Sequence, residues 1–140
     1  MNTSSLLAPV VVLVAWSIIM LAWLAIARAP HVRGQIPDGS RGADVERAHP
    51  GKVNWPAHNY QHLMEQPTIF YAIVFVLVFL RFDWPINVYL AWVYVILRIV
   101  HSIVQATVNI VRLRFAIFAL STLCLIGLTL HAGMWLISHG

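Results

Sequence analysis

The sequence predicts an all-α integral membrane protein built as a bundle of four transmembrane helices. Its 140 residues are 60% hydrophobic and 10% charged, with a mean hydropathy of +0.77, whereas soluble domains are about half apolar and about a quarter charged. Four long apolar segments recur, and about 20 helical residues cross a hydrocarbon core roughly 30 Å thick. The predicted spans, within one membrane domain covering residues 1–140, are 6–27, 58–80, 85–107 and 114–137.

Each predicted span begins at a different kind of sequence feature. The first is expected to be a retained helix, because the leader MNTSS carries no positive charge and the apolar run exceeds the 7–15 residues of a signal peptide. Small residues in LAIARA keep cleavage there as the alternative. The second spans only if its polar start is helical. The third follows RFDWP, where we expect Asp83 to cap the helix and Pro85 to occupy its first turn. The fourth follows a short link at NIVRLR.

Basic residues predict the orientation. The first connection, a loop of about thirty residues from 28 to 56, contains five of them, and the third contains Arg112 and Arg114, whereas the second has only Arg81. The five are Arg28, Arg33, Arg41, Arg47 and Lys52. Cytoplasmic loops are enriched in Lys and Arg, so both basic connections are expected in the cytoplasm and both termini outside. Since topology accounts for the positive charge, nucleic acid is not an expected partner. The single cysteine, Cys124, excludes a disulfide within the chain.

Polar residues form a stripe on the third span. Arg98, His101, Gln105 and Asn109 follow one another at spacings of three, four and four, and Tyr94 lies one turn earlier. A guanidinium exposed to lipid costs from about 3 to more than 10 kcal/mol. Arg98 is therefore predicted to face the interior of the bundle.

The second span opens with a matching cluster. His58, His62 and Glu65, spaced by four and three, share one helix face, and Glu65 is the only acidic residue within a span. It is therefore the expected partner of Arg98, and Pro67 is expected to bend the helix beside it. An ion pair that only fixes helix register is one interpretation. A surplus of arginines and histidines over one glutamate favours an anionic ligand instead.

Other histidines and the tryptophans have simpler interpretations. His58 and His62, followed by Glu65, also resemble helical metal-ligand spacing, but adjacent arginines would repel a divalent ion and we predict no metal site. His31, His49, His131 and His139 are expected in loops or at interfaces. The six tryptophans suit interfacial belts.

Two motifs carry a family resemblance. NYQHLMEQPTIFY, residues 59–71, resembles the second-helix signature of the MAPEG family, the membrane-associated proteins in eicosanoid and glutathione metabolism. RIVHSIVQ, residues 98–105, is similar to its third-helix motif, and Arg114 lies where glutathione-using members carry an arginine. The chain departs from the pattern at His62, where Asn is commonest, at His58, where some members have Arg, and at Gln105, where some have Tyr.

The resemblance implies a homotrimer of four-helix protomers, of bacterial type and in the inner membrane, with glutathione as co-substrate between subunits near the cytoplasmic face. Glu65, His62 and His58 would contact its polar backbone, Arg98 and His101 its carboxylates, and Arg114 its sulfur. The implied activity is a glutathione transferase or peroxidase acting on lipophilic substrates from the bilayer. Two alternatives stay open: use of another small thiol, and a non-catalytic scaffold or accessory subunit among other membrane subunits.

Overall fold

The structure is a computed structural model that describes residues 3–32 and 39–140. Within these ranges the regular structure is entirely helical. A single 3₁₀ turn, Lys52–Asn54, leads directly into the third helix. The helices are α1 (Leu7–Val32), α2 (Gly42–Ala48), α3 (Trp55–Phe79), α4 (Pro85–Ala106) and α5 (Val111–His139).

Four of these helices are long and apolar enough to cross a membrane. The shortest, α4, has 22 residues, which at 1.5 Å per residue reach about 33 Å. The polar start of α3 is helical, as a second span requires. Many large apolar side chains point away from the protein, such as Phe79 at 88% and Ile137 at 86% exposure. Lipid accommodates such surfaces, and the predicted four-helix membrane fold is confirmed.

The bundle is held by one apolar core shared by the long helices. Its most extensive contact joins α4 to α5, α1 packs mainly on α3, and α3 also touches α4 and α5. Phe70 and Tyr94 stack with ring centroids 4.3 Å apart at the centre, and Leu77 and Leu128 are fully buried beside them. This core sets the rotation of each helix about its axis, and so decides which polar side chains face inward.

Two expectations about helix ends are wrong. The residue that caps α4 is Trp84, not Asp83, although Pro85 occupies the first turn as predicted. At the other end α4 stops at Ala106, so Asn109 lies beyond the helix rather than on its polar stripe. Asn109 has a φ of 51° and its N–H donates to the Val104 carbonyl oxygen. Asn tolerates this left-handed conformation, which satisfies a carbonyl left free at a helix end.

The connection between α1 and α3 has more structure than the expected loop. α1 continues to Val32, and α2 forms a short helix within the connection. Asp44 accepts a hydrogen bond from the Arg41 backbone N–H at 2.8 Å and contacts Arg47. The Arg41 hydrogen bond holds the pKa of Asp44 below its usual value, so this carboxylate is charged at neutral pH. Arg33 lies outside the described residues.

Candidate functional site

A cavity of about 220 Å³ opens between α3, α4 and α5, close to the end of the bundle where α5 begins. It combines three basic side chains with an apolar wall. Because His62 comes from α3, His101 from α4 and Arg114 from α5, the site exists only once the three helices have packed together. The lining residues are His62, His101, Val111, Arg114, Phe115 and Phe118.

Arg98 lies beneath this cavity and is 1% exposed. Its Nη2 donates to the His62 carbonyl oxygen at 3.0 Å, and its guanidinium lies 5.8 Å from the centre of the Phe118 ring. Its Nε and Nη1 are buried without a hydrogen-bond partner among the described residues. Burying a charged group with unsatisfied donors is costly. Arg98 therefore faces inward as predicted, and two of its nitrogens have no hydrogen-bond partner in the described part of the chain.

Glu65 does not partner Arg98. Its side chain is 71% exposed and its closest basic contact in the described part of the chain is His62 Nδ1, 3.9 Å away. The reason is helix rotation: Leu63 and Pro67 are buried, and each lies two residues, or about 200°, from Glu65. The predicted Glu65–Arg98 ion pair is therefore not formed within this chain, and Glu65 projects from the outer surface of the bundle.

The two histidines of α3 point in different directions. His62 contacts His101 edge-on, with ring centroids 5.8 Å apart, and both rings line the cavity. His58 instead pairs with Glu46 of α2, whose carboxylate oxygen is 2.9 Å from its Nε2. The structure thus brings His62, His101 and Arg114 together around the cavity, with Arg98 below it. His58 and Glu65 lie outside its wall.

A polar network that the sequence analysis missed links the three helices around the site. Tyr94 donates from its hydroxyl to Gln66 Oε1 at 3.1 Å, and Gln66 Nε2 donates to Thr122 Oγ1 at 2.9 Å. Ser102 donates to Asn59 Oδ1 at 2.6 Å, and both residues are buried. Asn59, His62 and Gln66 are spaced by three and four, a signal that would have placed Gln66 beside the cluster. Hydrogen bonds between buried polar groups give rigidity to the elements that they join.

The electrostatic character of the cavity is positive. No Asp or Glu is among its lining residues, whereas Arg114 is, and the buried Arg98 contacts the lining residues His62 and Phe118. Arg112, two residues before Arg114, is exposed and outside the lining. No group of three His, Cys, Asp or Glu side chains in the described ranges is arranged to hold a metal ion. The basic side chains suit an anionic ligand, and the apolar wall suits a second, apolar molecule beside it.

Fold and site together define an integral membrane protein of four spanning helices with a cationic, partly apolar cavity near one membrane face. The model of the MAPEG family matches residues 6–134, and the chain belongs to that family. The resemblance noted in the second- and third-helix motifs is thereby confirmed. Comparison with curated proteins and with solved structures found no match. The family is associated with membranes and with glutathione, which directs attention to a thiol ligand.

Proposed function

We propose that the protein is a membrane-embedded glutathione transferase or peroxidase that acts on lipophilic electrophiles or lipid hydroperoxides. The observation that carries the proposal is the convergence of His62, His101 and Arg114 on one cavity that also has aromatic walls. Glutathione carries two carboxylates and a thiol, and the substrate is apolar. One cavity therefore offers what both reactants need.

Arg98 and His101 are the proposed partners of the glutathione carboxylates. A guanidinium binds a carboxylate through charge-assisted N–H donors, and two nitrogens of Arg98 have no partner among the described residues. His62 lines the same cavity in contact with His101, and it is the proposed partner of the polar peptide groups.

Assembly as a homotrimer would complete the site. Glu65 is an exposed carboxylate on a membrane-spanning helix, where a charge facing lipid is costly. A neighbouring protomer packed against this face would remove Glu65 from lipid. Glu65 and His58 would then contact glutathione bound between subunits.

Arg114 is proposed to stabilise the thiolate. The thiolate is the nucleophile, and a neighbouring arginine lowers the thiol pKa from about 8.5. In conjugation the sulfur bonds to the electrophilic carbon. Either a leaving group departs from that carbon with its electron pair, or, in an addition, the displaced electron pair moves to a neighbouring atom, which takes up a proton. In peroxide reduction the sulfur attacks the hydroperoxide oxygen and the O–O bond breaks. The lipid alkoxide is then protonated to an alcohol, and a second glutathione converts the sulfenic acid into a disulfide and water.

The apolar substrate is proposed to enter from the bilayer. Val111 and Phe115 line the cavity and are 65% and 71% exposed. The cavity therefore opens on the lipid-facing side of α5. We further propose that this end lies in the cytoplasm of a bacterial inner membrane, with both termini on the other side. The concentration of arginines in the two connections at this end supports that orientation.

A non-catalytic scaffold is the second candidate. The observation favouring it is the set of buried hydrogen bonds from Asn59 to Ser102 and from Gln66 to Thr122, since these join helices without involving a ligand. In such a protein the polar residues of the bundle would serve only to hold the helices together.

Glutathione binding, measured by calorimetry on the detergent-solubilised protein, tests the proposal. We expect saturable binding that weakens roughly tenfold or more in Arg98→Met, because a carboxylate loses its charged donors. Arg112→Ala is the matched control, because it removes an exposed arginine outside the cavity. Absence of glutathione binding to the unmodified protein would favour the scaffold.

A further inference from the structure

A second cavity, of about 310 Å³, lies at the opposite end of the bundle. It is lined from the α3–α4 link by Phe82 and Trp84 and from the end of α5 by His131, Trp135 and His139. Arg114 and His131 are 17 residues apart on α5, or roughly 25 Å along the helix axis. This cavity is therefore separate from the candidate thiol site.

Hydrogen bonds at its base define the tautomer of neutral His131. Asn87 is fully buried and its Nδ2 donates to the Phe82 carbonyl oxygen at 2.9 Å. Its Oδ1, an acceptor, lies 2.6 Å from His131 Nδ1. His131 Nδ1 therefore carries the proton and donates, which leaves the lone pair on Nε2. No described residue donates to this nitrogen.

His139 is held in the same way. Its Nδ1 lies 2.9 Å from the Trp135 carbonyl oxygen, which can only accept, so Nδ1 is again the donor of the neutral ring. Its ring stacks on Trp135 with centroids 4.1 Å apart and 10° between planes. Two imidazoles thus line one cavity, each with Nε2 as a free acceptor in its neutral form.

The walls between these acceptors are aromatic. Phe82 meets Trp84 edge-on at 5.0 Å and His131 edge-on at 6.3 Å. Aromatic faces attract organic cations, with tryptophan the most effective. No Asp, Glu, Lys or Arg belongs to the described lining. The chemistry is that of a site for an ammonium group whose N–H donors meet histidine nitrogens.

We propose that this cavity binds the primary ammonium headgroup of a phospholipid, as in phosphatidylethanolamine. The cavity lies where spanning helices end, the depth at which headgroups meet water. Trp84 and Met134 of its wall are 63% and 56% exposed, so it opens laterally to the bilayer. A quaternary ammonium has no N–H for His131 and His139, which favours the primary amine.

The residues at this end of the bundle do not form a net positive surface that would attract anionic lipids. Arg81 and Asp83 of the same link both line a neighbouring cavity of about 420 Å³, so the positive charge of one offsets the negative charge of the other. Selectivity must then arise from the ammonium group rather than from net charge.

Native mass spectrometry of the full chain in mild detergent tests the proposal on the unmodified protein. The probes are phosphatidylethanolamine, its mono- and dimethylated forms, phosphatidylcholine and phosphatidylglycerol, all with identical acyl chains. We expect phosphatidylethanolamine to bind roughly tenfold more tightly than phosphatidylcholine, with affinity falling as methyl groups replace N–H donors. Equal retention of all five lipids, or preference for phosphatidylglycerol, would overturn the proposal.

Two variants locate the site. Trp135→Leu removes an aromatic wall and His131→Phe removes an acceptor while keeping a ring; each should abolish most of the selectivity, by roughly five- to tenfold. Tyr89→Leu is the control, an exposed aromatic at the same end of α4 outside this lining. Selectivity preserved in Trp135→Leu would refute the assignment even if His131→Phe failed to fold.

A final comparison distinguishes a lipid from a soluble amine. Free phosphoethanolamine has the same headgroup without acyl chains. We expect it to displace the lipid only at much higher concentration, because it lacks the apolar contacts beside Met134. Equal affinity for the soluble compound would overturn the lipid assignment.

Discussion

Replacing Arg114 with alanine should raise the pKa of the bound glutathione thiol while leaving glutathione bound. Arg98 is buried beneath the cavity and Arg114 lines its wall, so loss of Arg114 leaves the proposed carboxylate contacts of Arg98 intact. The change should therefore appear mainly in the charge state of the sulfur.

The magnitude is worked for a guanidinium in direct contact with the sulfur, about 4 Å away. Opposite charges 4 Å apart attract by about 4 kcal/mol at an effective dielectric constant of about 20. Arg114 is only partly buried, and water screens part of that attraction. About half the value, or 1 to 2 pKa units at about 1.4 kcal/mol each, is the expected shift.

The assay is ultraviolet absorbance of the thiolate in the protein–glutathione complex as pH is varied. A depressed pKa means that the unmodified complex contains thiolate below the pH at which free glutathione ionises, and that this thiolate is lost as pH falls through the bound pKa. In Arg114→Ala the titration should move up to about 8.5 or higher. Arg112→Ala, the exposed neighbour, should titrate like the unmodified protein. An unshifted titration in Arg114→Ala would show that Arg114 does not act on the sulfur.

Three further predictions concern assembly, orientation and stability. Native mass spectrometry in mild detergent should give a trimer, and monomer or dimer masses would contradict the proposed assembly. In a Cys124→Ser background, Arg41→Cys should react with an impermeant reagent only from the cytoplasmic side and Ser138→Cys only from the other, and the reverse labelling would invert the topology. Ser102→Ala should lower the melting temperature, since it leaves buried Asn59 Oδ1 without its donor at a cost of about 1–3 kcal/mol; an unchanged melting temperature would show that this hydrogen bond does not stabilise the bundle.

Parts of the candidate site were predictable because the bilayer penalises polar groups so strongly. Exposing a guanidinium to lipid costs much free energy. For this reason Arg98 was predicted to face inward, and it is 1% exposed. His101 and Gln105 follow on the same face and are buried too. Arg114 was predicted as a site residue from its position in the family pattern, and in the structure it lines the cavity.

Other parts depended on how the helices rotate against one another. Glu65 shares a face with His62 by spacing, yet the packing of Leu63 and Phe70 in the core turns Glu65 outward. A helix with polar residues on several sides does not itself specify which side is buried. The hydrogen bond between Gln66 and Thr122 joins residues 56 positions apart, and no local pattern pairs them. Asn109 followed the helical spacing, but the helix had already ended.

The sequence by itself determined that four helices span a membrane and that Arg98 faces the interior of the bundle. The reason is that bilayer thickness and the cost of exposing polar groups to lipid act on each segment independently of its neighbours. Only the tertiary structure decided which polar residues meet: His62 with His101 and Arg114 at one end, and Asn87 with His131 at the other. These contacts depend on side-chain packing between helices. That packing fixes the rotation of each helix about its axis and its depth in the membrane, and it has no local signature in the sequence.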